Sequence, residues 1–181
     1  MAALTMDEPR KNRRSIRLKG FDYSLPVAYF ITICTHEREE NLAKIAGHEV
    51  HLTKAGEIVR AAWLNLPQRF PTVILHDFVL MPNHLHAILA FAHSVRGDKE
   101  GAASSAPTIS PTARPSLGGV TRAFKSVSAI SINRMRGRTD RPVWQRNYYE
   151  HIIRTSREFD ETRKYIHENP MRWDTDPENV S

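Results

Sequence analysis

A chain of 181 residues, 40% hydrophobic and 25% charged, suits one soluble domain with a sizeable core. Its single cysteine, Cys34, excludes an intramolecular disulfide and fits a reducing, cytoplasmic setting. A formal charge of +6 favours a polyanionic partner, nucleic acid above all; no apolar run reaches membrane-spanning length, and the charged N-terminus is not a signal peptide.

Residues 1–20 are polar and basic, with Arg13, Arg14, Arg17 and Lys19 close together, and read as an arm able to lie along phosphates. One domain is expected over residues 21–173. Residues 27–35 are rich in β-branched and aromatic side chains and read as a strand, with Cys34 as a small core residue. Glu49–Leu52 is a short second strand. Thr53 caps a helix to about Leu66, and Pro67 stops it. Thr72–Leu75 with Asp77–Leu80 makes a third strand, Met81–Asn83 a tight connection, and His84–Phe91 a fourth strand. Residues 93–115 are Gly, Ala, Ser, Thr and Pro-rich and read as a flexible linker. Ser116 caps a helix to about Met135, followed by the basic cluster Arg134, Arg136, Arg138 and Arg141. Residues 142–153 are aromatic and extended, with Trp144 a core candidate. Thr155 and Glu158 have the spacing of a capping box for a last helix, which Pro170 ends; residues 174–181 read as a polar tail.

Two histidines one residue apart stand in the fourth strand. Alternation along a strand points His84 and His86 to one face, and Leu85, Ala87 and Leu89 to the other, toward a core. Paired neutral imidazoles form a two-point metal grip. Nine histidines make one such pair unremarkable by itself. A second feature strengthens it: Tyr165 and Asn169, four residues apart, share a face of the last helix, beside its Phe159/Ile166 stripe. Were that helix packed on the face carrying the histidines, two imidazoles, an amide oxygen and a phenol would converge. Such a nitrogen and oxygen set suits Mg²⁺ or Mn²⁺ at a phosphate site. A metal-polarised phosphodiester could then be attacked by the phenol, otherwise a weak nucleophile.

Met81-Pro82-Asn83-His84-Leu85-His86, the run from Val143 to Arg154, and Tyr165-Ile166-His167-Glu168-Asn169-Pro170 together resemble the REP-associated tyrosine transposases, which belong to the single-tyrosine HUH (His, hydrophobic, His) transposases. Arg17 to Tyr23 and Tyr29 to Thr35 are also similar to that family. The resemblance implies an α+β, ferredoxin-like fold: an antiparallel sheet with the HUH motif on a central strand and helices packed on one face. It implies that His84, His86 and Asn169 bind the metal. It further implies that Tyr165 attacks a 5′-phosphate of single-stranded DNA folded into a palindromic hairpin, leaving a free 3′-OH. The family acts as monomer or homodimer.

Other roles stay open on the residues alone. Tyr148 and Tyr149 are rival nucleophiles that an extended backbone would point opposite ways, one to the core and one toward a base. His151 and His167 are metal neighbours or general acids on one reading, and structural or surface histidines on the other. Gln145, Arg146, Arg154 and the Arg134/Arg136/Arg138 cluster are candidate DNA contacts. Two functions follow: a metal-dependent DNA-nicking and strand-transfer enzyme, or a domesticated hairpin-DNA-binding protein that has lost turnover. A hydrolase of small phosphates is a third.

Overall fold

In a computed structural model, which describes residues 28–92, 115–139 and 141–179, four antiparallel strands lie in the order β4-β5-β1-β6. These are β1 (Ala28–Cys34), β4 (Val73–Leu80), β5 (His84–Phe91) and β6 (Tyr149–Ile153). The strand carrying the two histidines is thus internal, paired on both sides. β1 and β5 run in register from Ala28 opposite Ala90 to Cys34 opposite His84. Strand alternation sorts their side chains. Tyr29, Ile31, Ile33, Leu85, Ala87 and Leu89 enter the main core. Phe30 and Ile88 face the other way, with Ile153.

The main core is closed by α1 (Lys54–Leu64) and α3 (Leu117–Met135), through Val59, Trp63, Val120 and Phe124. Trp63 meets Phe124 edge-on at 5.3 Å, and Trp144, buried as expected, donates from Nε1 to Ser128 Oγ at 2.9 Å. The fourth helix, α4 (Ser156–Glu168), lies on the opposite face, where Ile166 joins Phe30, Ile88 and Ile153. The expectation of helices on one face therefore describes α1 and α3, while α4 takes the face carrying the histidines. Among the described residues the three long helices start where the sequence places caps: Thr53, Ser116 and Thr155 accept from the backbone N–H groups of Gly56, Gly119 and Glu158.

Several local features differ from expectation. A further strand, β2 (Ala43–Ala46), pairs with β3 (Glu49–Leu52) in a separate two-stranded ribbon. Its two-residue turn, Gly47-His48, has φ of 57° and 69°, the positive pair that a tight hairpin requires. α1 ends at Leu64, not Leu66. Pro67 lies in the first turn of a short helix, α2 (Leu66–Arg69), where a missing N–H is harmless. Pro170 likewise does not stop the chain's winding; a 3₁₀ segment continues over Asn169–Thr175. The basic arm, with Arg13, Arg14, Arg17 and Lys19, and linker residues 93–114 lie outside the described residues.

Candidate active site

His84 and His86 are 0% and 2% exposed, with ring centroids 4.3 Å apart. His84 Nδ1 lies 2.8 Å from Asn83 Oδ1. The Asn83 amide is oriented by its own Nδ2, which donates to the Glu178 carbonyl at 2.7 Å. An amide oxygen only accepts, so His84 carries its proton on Nδ1 and turns Nε2 inward as a bare lone pair. That Nε2 is buried with no hydrogen-bond partner among the described residues. His86 Nδ1 is 2.8 Å from Thr32 Oγ1. Burial, then the neighbouring charge of His86 and Arg38, holds His84 well below the usual histidine range, against a raising influence from Asn169. Burial, then Arg38, brings His86 down to about 3. Both rings are therefore neutral at pH 7, as metal-binding imidazoles must be.

α4 delivers the phenol. Ile166 seats the helix on the sheet, and Tyr165, one position earlier, projects along the surface against Phe30 and His86. Its hydroxyl lies 3.3 Å from His86 Nε2 of the same chain. Burial pushes the Tyr165 phenol up to about 12; Asp176 adds to this, while Asn169 and Arg172 oppose it. Asn169, 1% exposed, donates from Nδ2 to Asp176 Oδ2 at 2.7 Å, leaving its Oδ1 buried and without a partner among the described residues.

Asp176 was not visible as a site residue in the sequence, because residues from 174 onward read as a polar tail. It is 6% exposed, and residues 174–179 turn back across the histidines. Trp173 packs against His84 at 6.0 Å, the Glu178 N–H donates to Asp176 Oδ1 at 2.7 Å, and Glu178 pairs with Arg38. Trp173, an apolar anchor within a polar run, is the one sequence signal that this segment is held. Ligand atoms of His84, His86 and Asp176 lie within 4.8 Å of one another. A cation binding nitrogen and oxygen at about 2.0–2.2 Å holds its ligand atoms within about 4.4 Å of each other, so the group is nearly preformed. Two bare acceptors, His84 Nε2 and Asn169 Oδ1, beside a buried carboxylate fit a divalent cation of the Mg²⁺ or Mn²⁺ kind.

Other expected residues fall in different places. Tyr148 packs toward the main core, and Tyr149 is 45% exposed on the site face, its ring 6.3 Å from Phe30. Tyr149 sits across β1 from His86, roughly 10 Å away at two strand spacings. His151 pairs with Glu158 at 2.5 Å and His167 with Asp77 at 2.7 Å; neither joins the metal-type group. Arg134 lies in the last turn of α3, Arg136 and Arg138 lie just past its end, and there Asn133 bonds the Arg141 carbonyl. The segment after them pairs with residues 34–36, so the cluster lies at the His84 end of the sheet, on the α3 side. Gln145 and Arg146 are at that end too, their carbonyls held by Lys125 Nζ at 2.7 and 3.3 Å. Arg154 is not brought there. It follows Ile153, which pairs with Ala28 at the other end of β1, and is roughly 16 Å along β6 from Tyr149.

No protein-family model matches the chain. An uncharacterized protein of Haemophilus influenzae is 36% identical to it over 167 residues, 91% of this chain and 92% of that protein. Among solved structures, a REP-associated tyrosine transposase bound to a REP hairpin superposes with a TM-score of 0.55 at 17% identity, over 91% of this chain and 74% of that one. The antiparallel sheet with helices packed on it is thus a fold this chain shares with that transposase.

Proposed function

We propose that this chain, which belongs to one family with the Haemophilus influenzae protein, is a metal-dependent enzyme that nicks single-stranded DNA and transfers the strand through Tyr165. The observation that carries this reading is the Tyr165 hydroxyl 3.3 Å from His86 Nε2, within the buried group of His84, His86 and Asp176. Those three residues and Asn169 Oδ1 would hold Mg²⁺ or Mn²⁺. When bound, the cation supplies positive charge to phosphate oxygens and to the attacking oxygen.

The remaining chemistry belongs to the protein. With its phenol pushed to about 12, Tyr165 is protonated at pH 7 and inert until a phosphate and positive charge are beside it. Its oxygen forms a bond to phosphorus as the bond to the 3′ oxygen breaks. The phosphate stays on Tyr165 as a 5′-phosphotyrosine; the phenol loses its proton and the departing strand ends as a 3′-OH, so the net proton count is unchanged. One ester replaces another, and a second 3′-OH can run the step backward and join a new strand. Burial around His84 and His86 limits water, the competing nucleophile. The Tyr165 hydroxyl lies 3.3 Å from His86 of its own chain, which supports attack by the tyrosine of the same chain, in a monomer or a homodimer.

The fold neighbour was captured on a REP hairpin, and a hairpin-forming palindromic DNA is the substrate we assign to this chain. Arg134, Arg136, Arg138, Gln145 and Arg146 lie at the His84 end and would contact its backbone, joined by the N-terminal Arg13, Arg14, Arg17 and Lys19. No helix among the described residues is long and apolar enough to cross a membrane, and a DNA substrate places the reaction in the cytoplasm.

The test is incubation of a labelled single-stranded hairpin with Mn²⁺ and the wild type, Tyr165→Phe or His84→Ala protein. A covalent adduct on a denaturing gel is expected for wild type alone, with hairpin affinity kept by both variants. An adduct in Tyr165→Phe would remove the assigned nucleophile. Tight hairpin binding by wild type without any adduct would instead identify a DNA-binding protein without turnover.

A further inference from the structure

We propose that Asp77 is a positioning residue for Tyr165, a carboxylate that sets the rotation of α4 about its own axis; this rests on the reading of Tyr165 as the nucleophile. The register between β4 and β5 shifts between Leu75 and Phe78, leaving His76 and Asp77 in a bulge. In a regular strand two successive side chains point to opposite faces; here both meet α4. The His76 ring packs edge-on against Phe159 at 5.0 Å. Asp77 accepts from Arg163 Nε at 2.7 Å through Oδ2, and its Oδ1 lies 2.7 Å from His167 Nε2.

Arg163 and His167 are four residues apart and form one flank of α4. Tyr165 and Asn169, two positions on, form the other flank. Between them the apolar seat is narrow, since Ile166 is the one buried residue of the helix. Apolar burial is non-directional: it presses α4 onto the sheet but resists rolling weakly. A carboxylate gripping two side chains one turn apart is directional and resists it. The lever is long. A phenol oxygen sits about 9 Å from its helix axis, so a roll of about 10° moves it about 1.5 Å. A displacement of about 1 Å can cost about 100-fold in rate. As an ion pair at a partly exposed position, the bracket contributes little to stability, so its value lies in this alignment.

The experiment places 3-fluorotyrosine at Tyr165 and compares wild type, Asp77→Ala and Asp77→Glu by ¹⁹F NMR without DNA or metal. It is paired with the rate of adduct formation and hairpin affinity for the unlabelled proteins. Asp77→Ala should move or split the fluorine resonance and slow adduct formation about tenfold or more, with affinity within about twofold. Asp77→Glu should restore most of both. A fluorine resonance unmoved by Asp77→Ala overturns the proposal, as does a moved resonance with an unchanged rate. If wild type forms no adduct, the assigned function falls, and the fluorine signal alone decides whether Asp77 sets the place of the phenol.

Discussion

Mn²⁺ should stabilise this protein through His84, and the structure sets the size of the effect. Without a cation, His84 Nε2 and Asn169 Oδ1 are buried acceptors with no donor among the described residues. Each such orphan costs about 1–3 kcal/mol, so about 2–6 kcal/mol is available to a cation that engages both. By mass action, a hundredfold excess over Kd stabilises by about 2.7 kcal/mol. At about 2–4 °C per kcal/mol for a domain of this size, Tm should rise by about 5–11 °C. Scanning calorimetry with and without Mn²⁺, and after chelation, measures it. His84→Ala should abolish the shift. Asp176→Asn keeps the side chain's shape but loses its charge, weakening affinity by about 10- to 100-fold and, at the same Mn²⁺ concentration, removing about 1.3–2.3 kcal/mol of the stabilisation. A His84→Ala protein that gained as much from Mn²⁺ as wild type would show that the cation binds elsewhere, and the geometry at His84 and His86 would lose its meaning.

Gly56→Ala should destabilise by about 1–3 kcal/mol despite alanine's better helix propensity, because its Cβ would stand 2.1 Å from the Leu42 carbonyl oxygen, itself bonded to Thr53; a raised Tm would contradict that close approach. Acid should weaken the seat of α4. Burial alone would raise Asp77, but hydrogen bonds from Arg163 and His167 outweigh it, and the Arg154 N–H, then His151, hold Glu158 low. Carboxylates depressed by folding stabilise the native state above their unfolded value of about 4, and that contribution fades as pH falls through the folded value. Denaturant midpoints should therefore drop below about pH 5, with a shallower drop in Asp77→Asn; equal slopes in the two proteins would refute this. Replacing Arg134, Arg136 and Arg138 together by Gln should flatten the salt dependence of hairpin binding, lowering the slope of log K against log salt by about 2–3, and an unchanged slope would exclude them as phosphate contacts.

Much of the framework was legible because its signals are local. The period of two along β1 and β5 needs no knowledge of the rest of the chain, and it already places His84 and His86 together, away from Leu85 and Ala87. Caps at Thr53, Ser116 and Thr155 are equally local, as is the shared face of Tyr165 and Asn169. Where local signals are weak the reading failed: β2 is four residues with a lysine inside it, stabilised by pairing with β3 and not by its own pattern. A bulge such as that at His76 and Asp77 leaves no mark in composition, since it exists only relative to the partner strand.

Which side chains meet across 79 or more residues was a tertiary decision. The seating of Ile166 on Phe30 and Ile88 brought Tyr165 within 3.3 Å of His86. The packing of Trp173 on His84 carried Asp176 out of an apparently polar tail and into the site. The same folding left Arg154 at the far end of the sheet, though in sequence it adjoins the last helix. Chirality and pleat dictate which residues share a face of one element, and that much is written in the order of the amino acids. How elements stack and roll against one another depends on burying apolar surface and pairing charge between distant segments, which only the folded chain resolves.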